Sequence, residues 1–184
     1  MQRQAAVRAA SERRRRVSKL RNYAIVAVAA IAVLAAIVAY YVNESGKPGQ
    51  GVSQQPSPHI QTVDTPHAAY STDPPTSGPH VPEVPAWGVH PEAVRKELQV
   101  HALEDAGVVI SYRPDMDKAT MDRLAELTRS YDKEVLMAPY DGLSNPIVLT
   151  AWARIDRLDS FDEARIKKFI SAFKGIDHHK DSGS

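Results

Sequence analysis

Apolar and polar positions divide the chain into three regimes. The first is continuous apolarity: Tyr23 to Val42 reads YAIVAVAAIAVLAAIVAYYV, 20 residues without a charge. As a helix at about 1.5 Å per residue this segment is about 30 Å long, the thickness of a bilayer core. Tyr23 at one end and Tyr40-Tyr41-Val42 at the other place phenol rings where the membrane meets water. The second regime, Asn43 to Asp64, is rich in Gly, Ser, Gln and Pro and has no apolar periodicity; it predicts a flexible tether. The third begins with a proline-rich arm over residues 65–91 and continues as periodic sequence to about residue 176.

Within that third regime the pattern predicts six elements. Leu98–Leu103 (LQVHAL) alternates and predicts a strand, Glu104–Gly107 a turn with Gly107 at positive φ, and Val108–Tyr112 (VVISY) the returning strand. From Lys118, Met121, Leu124, Leu127 and Tyr131 share one helical face, with Asp117 as N-cap. Glu134–Pro139 and the long run Ile147–Ile155 predict two further strands, the latter central. Ser160 and Glu163 have capping-box spacing, and Ile166, Phe169, Ile170 and Phe173 recur at i, i+3, i+4 and i+7 before Gly175. The order β-β-α-β-β-α predicts an α+β domain with a mostly antiparallel sheet and both helices on one face. Residues 177–184 read as a frayed tail.

Charge orients this layout. Residues 1–22 carry Arg3, Arg8, Arg13, Arg14, Arg15, Arg16, Lys19 and Arg21 against Glu12 alone, whereas the whole chain has a net charge of only +1. A basic flank before an apolar span predicts a cytoplasmic amino terminus and an extracytoplasmic domain, in contact with anionic lipid. The competing reading, a cleaved signal peptide, fits less well, since the apolar run exceeds 15 residues and ends in Tyr-Tyr-Val rather than A-x-A. A twin-arginine signal lacks the apolar residues it needs after Arg15-Arg16. The arginine run abuts the span and has no interleaved aromatic residue, which argues against nucleic acid as partner. With no cysteine in the chain, disulfides, thiolate catalysis and cysteine zinc sites are excluded.

Ten of the thirteen prolines lie between Pro48 and Pro91, but from Thr65 the composition becomes specific. Pro74-Pro75-Thr76-Ser77-Gly78-Pro79-His80 is one motif, and Tyr70 and Trp87 are rings that a free linker does not need; they predict an arm packed along the domain. PPTSGPH, then His101-x-Leu103-Glu104 ahead of GVVISYRP, LMAPY at 136–140 and NPIVLTAW at 145–152 together resemble a bacterial membrane-anchored family known only as a domain of unknown function. The resemblance runs from about Tyr70 to about Phe173. It implies the same architecture of basic tail, single span and outer domain, and supplies no activity. The family usually reads H-x-L-E-H-G, whereas this chain has Asp105 and Ala106 in place of the second His and the Gly.

The chemistry to be weighed rests on seven histidines: His59, His67, His80, His90, His101, His178 and His179. One reading is a copper or zinc site built from His80, His101 and Glu104, with His90 or Met137 nearby. The other makes His80 and His101 a hydrogen-bonded clamp between arm and hairpin, with no cofactor. His178-His179 read as a solvated tail, and Glu104-Asp105 as an acid–base pair or a solvated turn. No HExxH, G-x-S-x-G, phosphate loop or dinucleotide fingerprint is present. Three functions follow: a non-enzymatic binding or assembly module with an envelope protein as partner, a metal-binding protein, or an envelope enzyme of unrecognised type. The first is the leading expectation.

Overall fold

A computed structural model describes residues 2–179 of the chain. It divides into two units, Met1–Lys47 and Pro48–Ser184. The first is a single helix, α1 (Gln2–Gly46), within which Lys19–Gly46 is long and apolar enough to cross a membrane. The apolar window within that stretch has no buried residue, which separates it from the core helix of a soluble fold. Tyr23 and Val42 both lie inside it.

The second unit is an α+β domain. Its elements are β1 (Gln50–Gly51), β2 (Gly88–Val89), α2 (Lys96–Glu104), β3 (Val108–Tyr112), α3 (Lys118–Arg129), β4 (Val135–Pro139), β5 (Ile147–Ala151), β6 (Arg154–Leu158) and α4 (Glu163–Phe173). They form one mixed sheet in the order β1-β6-β5-β3-β4-β2, with β3, β5, β6 and β1 joined antiparallel and β3–β4–β2 parallel. The parallel pair β3–β4 is bridged by α3, as parallel neighbours require a crossover.

Alternation along the strands sends side chains to opposite faces. Val108, Ile110, Tyr112, Val135, Met137, Ile147, Leu149 and Ala151 meet Leu124 and Leu127 of α3 and Ile166, Phe169 and Ile170 of α4. The two helices expected on one face are there, and Asp117 caps α3 as expected, accepting from the Thr120 amide. The other face, with Val109, Leu136 and Ala138, is covered by Val100 and Leu103 of α2, with Tyr70, Trp87 and Trp152 packed alongside.

Four expectations are corrected. Leu98–Leu103 belongs to helix α2, not to a strand, so no hairpin joins it to β3. The run Ile147–Ile155 is two strands folded about Trp152-Ala153, with Ala153 at φ 53°. The cap of α4 is Asp162, which accepts from the Arg165 amide, rather than Ser160. Residues 48–64, expected as free tether, are docked: β1 pairs with β6, the Val52 amide donates to Ala153 O at 2.9 Å, and Ser57 is buried.

Candidate metal centre

The site is assembled from four segments that the chain brings to one end of α2. Its first segment is α2 itself, which places His101 and Glu104 at i and i+3, on one helical face. The helix closes with Ala106 at φ 66° and the Gly107 amide donating to Ala102 O at 2.9 Å, the geometry of a Schellman turn. The left-handed residue is therefore Ala106, not Gly107. Gly107 serves a different need: a Cβ there would sit 2.3 Å from Ala102 O and 2.7 Å from the Trp87 ring.

The second segment is Pro74–His80, which is buried throughout. Gly78, at φ 129°, lies where a Cβ would come within 2.8 Å of the Tyr70 ring, and the Tyr70 hydroxyl donates to Pro79 O at 2.7 Å. The third segment, before the arm, stitches to it through polar atoms. Ser57 Oγ donates to Gly78 O (2.7 Å), the Gln55 amide to Ser77 Oγ (2.9 Å), and the Ile60 amide to His80 O (2.7 Å). The resulting parallel bridge sets His59 beside His80, their ring centroids 4.8 Å apart.

One donor atom each from His59, His80, His101 and Glu104 then lies within 4.8 Å of all the others. His80 and Glu104 are fully buried, His101 nearly so, and the His59 side chain is 39% exposed. Glu104 Oε2 stands 2.9 Å from His80 Nε2 and 3.8 Å from His59 Nε2. His80 Nδ1 is 2.9 Å from Gly78 O, a pure acceptor, so Nδ1 carries the proton. Its Nε2 lone pair then faces a carboxylate, and two acceptors face each other unless a proton or a cation lies between them. Two further atoms of the group, His101 Nδ1 and Glu104 Oε1, are buried with no hydrogen-bond partner among the described residues. Each orphan of this kind costs about 1–3 kcal/mol. Burial also holds His101 below its ordinary pKa, in the neutral form that a metal ligand needs.

The fourth segment is the tail after α4. The Gly175 amide donates to Ala106 O (2.9 Å) and the His178 amide to Glu104 O (3.0 Å), so the tail runs along the end of α2. His178 stacks on Trp152, and His179 joins His101 and Asp105 in a second group of donors within 4.8 Å of one another. Residues 177–179, expected to be frayed, are thus held by the domain; 180–184 lie outside the described residues.

Of the residues anticipated for a metal, His80, His101 and Glu104 are brought together, although Glu104 and His101 come from a helix rather than a hairpin. His90 and Met137 are not part of the group: His90 Nε2 bonds Ala86 O, and Met137 lies in the core on the opposite face. His59 and His179 were missed, because one sits in sequence that resembles a linker and the other in a short polar terminus.

The chain consists of a helix suited to a membrane followed in sequence by an α+β domain that carries an imidazole–carboxylate cluster. Over residues 61–183 the chain matches the family described as "Protein of unknown function (DUF3105)", and it belongs to that family. No curated protein and no solved structure matches it.

Proposed function

We propose that this chain is a membrane-anchored, extracytoplasmic, non-enzymatic metal-binding module that holds one zinc or copper(II) ion on His59, His80, His101 and Glu104. The observation that carries the reading is His80: its Nδ1–H is committed to a backbone carbonyl while its Nε2 points at a buried carboxylate. An imidazole that gives its other N–H to a carbonyl is the usual second-shell arrangement of a metal-bound histidine. Three imidazoles and a carboxylate suit zinc or copper(II), and the absence of sulfur from the group disfavours copper(I). Donors around tetrahedral zinc, with Zn–N of about 2.0–2.1 Å, stand about 3.3 Å apart, so the 2.9 and 3.8 Å separations need shifts of under an ångström. Four protein donors leave no open position on a tetrahedral ion, which supports binding rather than catalysis. The basic flank of the apolar helix supports a cytoplasmic amino terminus and a domain in the cell envelope.

The test is elemental analysis of the full chain, purified in detergent and dialysed against zinc and then buffer. One equivalent of zinc is expected in the wild type and none in His80→Ala or His101→Gln. A wild type that takes up no metal, together with a His101→Gln variant that melts normally, would return the cluster to a structural clamp, and the chain to a binding or assembly module with an envelope protein as partner.

A further inference from the structure

The second group of donors shares His101 with the four-ligand site and adds two residues of its own, Asp105 and His179. We propose that His101, Asp105 and His179 form a solvent-facing loading site for the same divalent cation, from which the ion passes inward to the buried set. The proposal rests on the metal-binding reading above.

His179 repeats the feature that marks His80. Its Nδ1 stands 2.7 Å from Asp177 Oδ1, and its Nε2 faces a second carboxylate, Asp105 Oδ1, at 3.2 Å. Asp177 therefore orients the ring, and the Nε2 side is aimed at the space that Asp105 and His101 border. His101 Nε2 is 3.7 Å from Asp105 Oδ2, and its Nδ1 is buried with no partner among the described residues. The group is held rather than merely near: backbone bonds from the tail to Ala106 O and Glu104 O fix His179 against the end of α2.

Exposure decides which group an arriving ion meets first. Asp105 and His179 side chains are 31% and 40% exposed, and one of them is anionic. Of the inner set only His59 reaches solvent to a comparable degree, and it is neutral or cationic. A dication in solution thus finds two accessible donors at the outer group and one at the inner.

Passage inward is short. His179 Nε2 is 3.7 Å from Glu104 Oε2, the same oxygen that lies 2.9 Å from His80 Nε2. An ion held by His101 and touching Glu104 exchanges Asp105 and His179 for His80 and His59 without returning to water. Because both sets draw on His101, one ion occupies the pair at a time.

The experiment follows zinc uptake by the full chain in detergent, by stopped flow against a chromophoric chelator. His179→Ala and Asp105→Asn should still bind one equivalent of zinc but load about tenfold more slowly. The His179→Ala defect should persist at high salt, where charge steering is screened. His178→Ala, which removes the stack on Trp152 and leaves every donor residue of both sets in the chain, should load at the wild-type rate. Loading by both outer-site variants at the wild-type rate overturns the proposal, as does binding of two equivalents by the wild type. Failure of the wild type to take up any zinc overturns the metal-binding reading itself, and this proposal with it.

Discussion

Glu104→Gln tests the centre most sharply, because metal-free and zinc-loaded protein should respond in opposite directions. In the metal-free domain the carboxylate faces an imidazole nitrogen 2.9 Å away, both fully buried. An amide of the same shape donates N–H to the His80 Nε2 lone pair, while Nδ1–H keeps its bond to Gly78 O. The contact becomes neutral, with one N–H donated to Nε2 and no shared proton. Replacing buried ionic groups with neutral ones of similar volume is commonly neutral or stabilising, so the metal-free variant should match or exceed the wild type, by up to about 2 kcal/mol. With zinc the sign reverses. At a free ion concentration 100 times Kd, linkage stabilises the wild type by about 2.7 kcal/mol; a 100-fold weaker site keeps only about 0.4 kcal/mol. For a domain of this size that is a zinc-induced rise in Tm of about 10 °C against about 2 °C. The assay is thermal melting of the full chain in detergent, followed by fluorescence of Trp87 and Trp152, which both belong to the domain. If Glu104→Gln lowers the metal-free Tm sharply and leaves the zinc-induced rise intact, the carboxylate is a structural partner of His80 and the reasoning fails.

Ala106→Gly should stabilise the domain by about 0.5–1 kcal/mol, since a left-handed alanine costs about 1–2 kcal/mol and glycine returns part of that as chain entropy; denaturant unfolding measures it. Asp162→Ala should cost about 1 kcal/mol through loss of the bond to the Arg165 amide, whereas Ser160→Ala should leave the unfolding midpoint in place. Gly78→Ala should destabilise by more than about 2 kcal/mol, because the new methyl meets the Tyr70 ring at a φ that L-residues avoid; an unchanged melt would show that the arm is not packed as described.

The parts of the fold that rest on a single apolar face were legible. The stripe Ile166, Phe169, Ile170 and Phe173 specified α4, Leu124 and Leu127 specified α3, and VVISY specified β3. Helix α2 was not, and its burial shows why. Glu97, Gln99, His101 and Glu104 are buried while Leu98 is half-exposed, so polarity no longer marks the solvent side. The residues that build the cluster are the ones that erase the amphipathic signal, leaving Leu98 and Val100 to mimic strand alternation. The tether misled for a related reason: Gln55 and Ser57, which composition reads as linker, are the hydrogen-bond partners of Ala69, Ser77 and Gly78. A polar side chain bonded to a distant backbone has the same sequence appearance as one bonded to water.

The borders of the sheet restrict how other chains can engage it. Its outermost strands, β1 and β2, are two residues each, and β4, next to β2, ends at Pro139, which has no amide hydrogen to offer. Short margins of this kind give an incoming strand little to zip onto. A peptide or second copy seeking to lengthen the sheet at β1 or β2 would find only two residues to pair with. The same truncation disfavours ribbon-like self-association through β1 and β2, and leaves side chains and loops as most of the surface the domain offers.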